Sequence, residues 1–165
     1  MAFPHPGSGH QALRRGRWSE PGRIYLVTIT TYRREPHFSR WEAASRMSEV
    51  LACSSTWSPH AELLCWVLMP DHWHGLMRLT SAATLAHVVG TAKGRSAHAV
   101  RDVLAPRRVW AQGFHDRALR RDDDVLVAAR YIIANPTRAG IASRIGGYPY
   151  WDAVWLGDSA GGSRG

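Results

Sequence analysis

Residues 61–79 read AELLCWVLMPDHWHGLMRL. Ala61 to Met69 form a nearly continuous apolar run of strand length, Pro70-Asp71 supplies turn chemistry, and His72 to Leu79 alternates as a second strand. The stretch predicts a β-hairpin. Residues i and i+2 of a strand share a face. His72 and His74 therefore stand side by side, while Trp73 faces the other way and anchors the strand in a core.

Upstream, Arg23 to Tyr32 (RIYLVTITTY) is rich in β-branched and aromatic residues and predicts a further strand. Ser39 to about Trp57 carries Trp41, Ala44, Met47, Val50 and Leu51 at helical spacing, with Ser39 as the expected N-cap. A second helix is expected from Thr84 to about Leu104, although Gly90 and Gly94 weaken it. A short irregular or strand segment follows at 109–114. The third helix starts at Asp122-Asp123-Asp124, whose carboxylates suit a helix N-terminus, runs through VLVAARYIIA and stops before Pro136. This order predicts an α+β fold, an antiparallel sheet with helices on one face and the histidines on the other. Residues 1–20 are expected to be a flexible basic arm, 21–156 one domain, and 157–165 a disordered tail.

The 165 residues carry 21 Lys+Arg against 13 Asp+Glu, a formal charge of +8, which points to a polyanionic partner. Lys93 is the only lysine. Arginine suits bidentate phosphate contacts, though such a ratio also arises from codon bias. Cys53 and Cys65 make neither a disulfide framework nor a zinc cluster, and both are expected to be small buried residues. No run reaches membrane-spanning length, so no membrane partner and a cytoplasmic location are expected.

Two constellations carry chemistry. His72 and His74 form a two-nitrogen site for a divalent cation, but with nine histidines in the chain an HxH pair is a weak signal. Tyr131 and Asn135, four apart on a helix, share a face. The asparagine oxygen is a hard donor suited to Mg²⁺ or Mn²⁺. Spacing alone favours a plainer reading, a half-buried helix tyrosine and a C-terminal cap before Pro136.

The combination is more specific. LLCWVLMPDHWHGLMRL (63–79), VWAQGFHDRALR (109–120), ARYIIANPTRAGI (129–141) and GYPYWDAVW (147–155) come in an order that resembles the REP-associated tyrosine transposases. These belong to the HUH single-tyrosine superfamily, the IS200-like transposase domain, and the resemblance spans roughly residues 15–155. It implies a ferredoxin/RRM-like HUH fold with the histidines on the middle strand. It also implies that His72 and His74 bind the metal, Asn135 helps hold it, and Tyr131 is the nucleophile. His115, before Asp116-Arg117, is read as a bystander.

The implied reaction is metal-assisted cutting and rejoining of single-stranded DNA flanked by hairpins. A cation neutralises the phosphodiester and Tyr131 attacks as phenolate, an anion that a free tyrosine, with a pKa near 10, seldom forms at neutral pH. Candidate phosphate contacts are Arg14, Arg15, Arg17, Arg33, Arg34, Lys93, Arg95, Arg101, Arg117, Arg120 and Arg121, with Trp18, Trp110 or Tyr148 as base-stacking candidates. Three functions fit: an active transposase, a domesticated hairpin-DNA nicking or binding relative, and a non-catalytic basic nucleic-acid-binding module. A monomer or homodimer is expected, with a lean towards a tyrosine that acts in its own subunit. A bacterial, nucleoid-associated location follows from the DNA partner.

Overall fold

The computed structural model describes residues 19–105, 107–120 and 123–156. Arg14, Arg15, Arg17 and Trp18 of the expected arm, Arg121 and Asp122, and the tail from Gly157 lie outside the described residues. Five strands, β1 (Ile24–Thr30), β2 (Ala61–Met69), β3 (His72–Leu79), β4 (His115–Ala118) and β5 (Trp151–Ala153), form one sheet. Its order is β4-β1-β3-β2-β5, every pair is antiparallel, and β3 is central. The expected hairpin is β2–β3, with Met69 opposite His72. The helices are α1 (Trp41–Ala52), α2 (Ser54–Trp57), α3 (Leu85–Ala99), α4 (Arg101–Leu104), α5 (Val125–Ile133) and α6 (Asn135–Arg138).

A bulge in β2 explains why its apolar run is continuous. Leu63 faces Met77 but Cys65 faces Leu76, so Leu64 is an extra residue and the alternation changes phase there. Ala61, Leu63, Trp66 and Leu68 then share one face with Trp73, Met77, Ala44, Met47 and Val89. Leu64, Cys65, Val67, Met69 and Leu76 share the other with Ala128, Ala129, Ile132 and Ile133.

Trp73 is fully buried, as expected, and its indole stacks on Trp57 at 5.2 Å and 19°. That ring folds back over Gly75, where a Cβ would lie 2.0 Å from an indole carbon. Only glycine leaves the space.

The α+β architecture is the expected one, with several local differences. Helices cover both faces, because the apolar residues of β2 and β3 on the histidine side also need burial, and α5 supplies it. Ser39 ends a 3₁₀ turn, Arg40 takes the cap position of α1, and Trp57 belongs to the separate helix α2. Trp41 is 73% exposed and so outside the core, and Cys53 is exposed while Cys65 is buried. Val100 leaves helical geometry and splits the second helix into α3 and α4; Thr84 does cap α3, accepting from the His87 amide. Strands β4 and β5 occupy stretches where no strand is expected, His115–Ala118 and Trp151–Ala153. Both are short edge strands set by pairing partners distant in sequence.

Asp124 caps α5 through bonds from the Leu126 and Val127 amides. Helical structure does not end at Pro136. Ala134 interrupts it, and α6 adds a further turn with Pro136 near its start.

Candidate active site

His72 and His74 project from the central strand on one face, their rings 4.6 Å apart and nearly perpendicular. Each Nδ1 is already engaged. That of His72 bonds Asp71 Oδ1 at 2.6 Å, and that of His74 bonds Thr28 Oγ1 at 2.7 Å. The register places Thr28 directly opposite His74. Orienting one ring nitrogen in this way leaves Nε2 of each imidazole as the donor for a ligand. Burial pushes the His74 imidazole down to about 3, helped by the nearby positive charges of Arg138 and Arg34. His72 is also lowered by burial, partly offset by Asp71. Both rings are thus neutral at physiological pH, the form that binds metal. Among the described residues, no group of three or more His, Cys, Asp or Glu gathers here or elsewhere. Further ligands to a cation would therefore come from amide, hydroxyl or water oxygens.

The loop after β1 fixes the carboxylate behind His72. Thr31 donates from both its amide and its hydroxyl to the Asp71 carbonyl at 2.9 Å, and the Phe38 amide bonds Pro70 O. Arg34 Nε meets Asp71 Oδ2 at 3.1 Å. Arg33 and Arg34 sit at φ +56 and +58, left-handed geometry that costs a non-glycine residue roughly 1–2 kcal/mol. The strain is borne where an arginine, an aspartate and a histidine are linked in series.

Tyr131 lies on α5, which packs on β2 and β3 through Ala128, Ala129, Ile132 and Ile133. The helix and the histidines therefore share one face of the sheet. Asn135 has a structural task as well. Pro136 has no N–H for the Ile132 carbonyl, and Asn135 Nδ2 donates to that oxygen at 2.8 Å. This fixes the amide plane and leaves Oδ1 as its acceptor. Arg138 folds back onto Tyr131, its Cζ 4.0 Å from the ring centroid and its Nη2 3.0 Å from the phenol oxygen.

The predicted phosphate contacts divide. Arg33, Arg101 and Arg120 are exposed, and Arg34 and Arg117 are exposed but paired with Asp71 and Asp123. Lys93 instead holds the Ala111 and Gly113 carbonyls at 2.7 Å each, and Arg95 holds the carbonyl of Ser55 at 2.5 Å, so both tie α3 to neighbouring segments. Trp110 and Tyr148 are core residues whose polar atoms bond Ser96 Oγ and Leu68 O, which removes them as stacking platforms. His115 pairs with Thr28, so the row His115–Thr28–His74 runs across the site face. A groove of about 740 Å³ lies on the other side between α3 and residues 107–113 and takes no part in this arrangement.

Sequence reasoning missed Thr28, Asp71 and Arg138 as parts of the site. Asp71 had a local signal, a carboxylate adjoining His72 in the turn. Thr28 depends on strand register and Arg138 on a side chain that reaches back seven residues to the tyrosine, and neither shows in spacing.

Residues 22–135, which contain both histidines, Tyr131 and Asn135, match the family model described as "Transposase IS200 like". The fold is similar to a solved structure of a REP-associated tyrosine transposase bound to a REP hairpin. The TM-score is 0.66 at 19% identity, over 90% of this chain and 86% of that one. A candidate transposase from Deinococcus radiodurans R1 aligns with TM-score 0.49 at 16% identity, over 74% of this chain and 97% of the other. No curated protein matches the sequence.

Proposed function

Because this chain belongs to the IS200-like transposase family, we propose that it cuts and rejoins single-stranded DNA through a covalent 5′-phosphotyrosine on Tyr131. One observation carries the reading: two neutral imidazoles with both Nδ1 atoms committed share a sheet face with the tyrosine helix. His72 Nε2, His74 Nε2 and Asn135 Oδ1 form a donor set suited to Mg²⁺ or Mn²⁺. When bound there, such an ion neutralises the non-bridging oxygens of the scissile phosphate.

Tyr131 Oη attacks phosphorus, the bond to the 3′-oxygen breaks, and the 5′-phosphate stays on the protein. The phosphotyrosine retains the bond energy, so a second 3′-hydroxyl reverses the step and reseals DNA. Hairpin DNA with single-stranded flanks is the substrate class we infer, in keeping with the REP hairpin bound by the structural relative. Arg33, Arg101 and Arg120 offer unburied charge for its phosphates. Packing of α5 on the sheet of its own chain supports a tyrosine acting in cis, with a monomer sufficient. No helix among the described residues is long and apolar enough to cross a membrane; a DNA substrate implies work at the bacterial nucleoid, in the cytoplasm.

The test is incubation of wild type and Tyr131→Phe with labelled hairpin-flanked single-stranded DNA and Mg²⁺ or Mn²⁺. A covalent adduct formed by the wild type alone is the expected result. Tight binding without adduct on any hairpin would instead identify a binding module.

A further inference from the structure

We propose that Arg138 is a catalytic residue that holds the Tyr131 oxygen during attack and then the phosphate it carries. The inference rests on the tyrosine-nucleophile reading above. The guanidinium grips Tyr131 at both ends, with Nη2 donating to the phenol oxygen at 3.0 Å and Nη1 to the backbone carbonyl at 3.3 Å. Its Cζ sits 4.0 Å from the ring centroid. The guanidinium thus meets the phenol both through its face over the ring and through a directed N–H at the oxygen.

Three further observations separate this contact from an ordinary surface pairing. First, among the described residues Arg138 forms no ion pair with a carboxylate, whereas Arg34, Arg107 and Arg117 each do. No carboxylate among the described residues neutralises its charge. Second, the contact lies on the sheet face that carries His72 and His74, because α5 packs there. The guanidinium and the histidines thus stand on one side of the sheet. Third, the contact joins two helices. Arg138, the last residue of α6, reaches back past Asn135-Pro136 to the carbonyl and phenol oxygens of Tyr131 on α5.

In the reaction the bond from Tyr131 Oη to phosphorus forms as the bond to the 3′-oxygen breaks. The phenol proton passes to solvent, and the departing 3′-oxygen takes one from solvent. Arg138, a donor-only group, takes no part in these proton transfers. Its two-pronged face first meets the phenolate and then a non-bridging oxygen of the phosphotyrosine, a geometry that lysine reproduces only in part.

The experiment is single-turnover cleavage of saturating hairpin-flanked single-stranded DNA with Mn²⁺, comparing wild type, R138A, R138K and Y131F. DNA affinity and melting temperature are measured alongside. R138A should cleave on the order of 10²–10³-fold more slowly, the loss typical of one removed transition-state donor. Its DNA affinity should stay within a few-fold of wild type, R138K should be intermediate, and added guanidinium ion should partly restore R138A but never Y131F. Wild-type cleavage by R138A overturns the proposal. So does a loss that comes with a lowered melting temperature and that neither lysine nor guanidinium ion relieves, because that identifies a structural latch. If the wild type itself forms no adduct on DNA that it binds, the tyrosine reading has failed and this role falls with it.

Discussion

On one face of β3, Trp73 and Met77 are wholly buried beneath α1, α2 and α3; on the other, where α5 packs, His72 and His74 are half-buried. The residues alternate along a single strand, yet the two faces follow different rules. The packed face accepts an indole N–H with no hydrogen-bond partner among the described residues, that of Trp73, in exchange for stacking on Trp57. Leaving such a donor unpaired costs about 1–3 kcal/mol, so packing outweighs polarity there. The site face does the reverse. It gathers Thr28 from β1, Asp71 from the turn and Arg34 from a strained loop to orient two ring nitrogens. One face is organised for shape and the other for direction.

The largest effect should come from the site face. His72→Ala and His74→Ala each remove one of two imidazole donors, and among the described residues no group of three or more His, Cys, Asp or Glu stands by as a substitute. Cleavage should fall by at least about 10³-fold in each, with Mn²⁺ affinity by calorimetry lost in parallel and urea midpoints little changed. The packed face should show the opposite pattern. In Gly75→Val the new side chain would meet the Trp73 ring, since even a Cβ lies 2.0–2.7 Å from its atoms. Stability measured in urea should drop by about 3 kcal/mol, and a residual fold should still bind Mn²⁺. A Gly75 variant that is stable but metal-free would break the distinction between the faces.

The hairpin, the face assignment of Trp73 and the α+β class were legible because they rest on period-2 alternation and a turn dipeptide, both local signals. Strands β4 and β5 were not, because three or four residues at a sheet edge carry too little pattern and are selected by partners far along the chain. Trp41 matched a helical stripe yet faces solvent, since one residue at a helix start does not determine which way the helix rolls onto a sheet. Lys93 and Arg95 looked like phosphate contacts because charge is visible in sequence, while the carbonyls that consume it are not. The histidine pair was visible in spacing, but its link to Tyr131 came from the ordered motifs. The orienting groups Thr28 and Asp71 required register and loop closure.

Those orienting groups give the next test of the comparison. Thr28→Val and Asp71→Asn keep shape but remove the hydroxyl bond to His74 and the carboxylate bond to His72. Changes of this kind typically weaken metal binding by about 10–100-fold. Calorimetry with Mn²⁺ should show that loss, and both variants should unfold close to wild type. Unaltered affinity would mean that the ring nitrogens need no orienting.

The smallest effect separates the faces by pH. His74 is held neutral in the fold, its pKa pushed from 6.5 down to about 3, chiefly by burial. Below pH 6.5 the unfolded chain takes up a proton that the folded metal-free chain refuses, so unfolding is favoured as pH falls. The slope reaches at most about 1.4 kcal/mol per pH unit for one such group and persists until the folded imidazole itself titrates near pH 3. His72 is displaced in the same direction and adds to it. The clean window is pH 6.5 to 5, above the range where carboxylates titrate. Urea unfolding of the metal-free protein across that window should show stability falling with pH, and His74→Gln should flatten the dependence. Gly75→Ala acts on the packed face and leaves His72 and His74 in place, so it should lower the whole curve without changing its slope. A slope that survives His74→Gln unchanged would place the proton uptake elsewhere and deny the site face its cost of burying imidazoles.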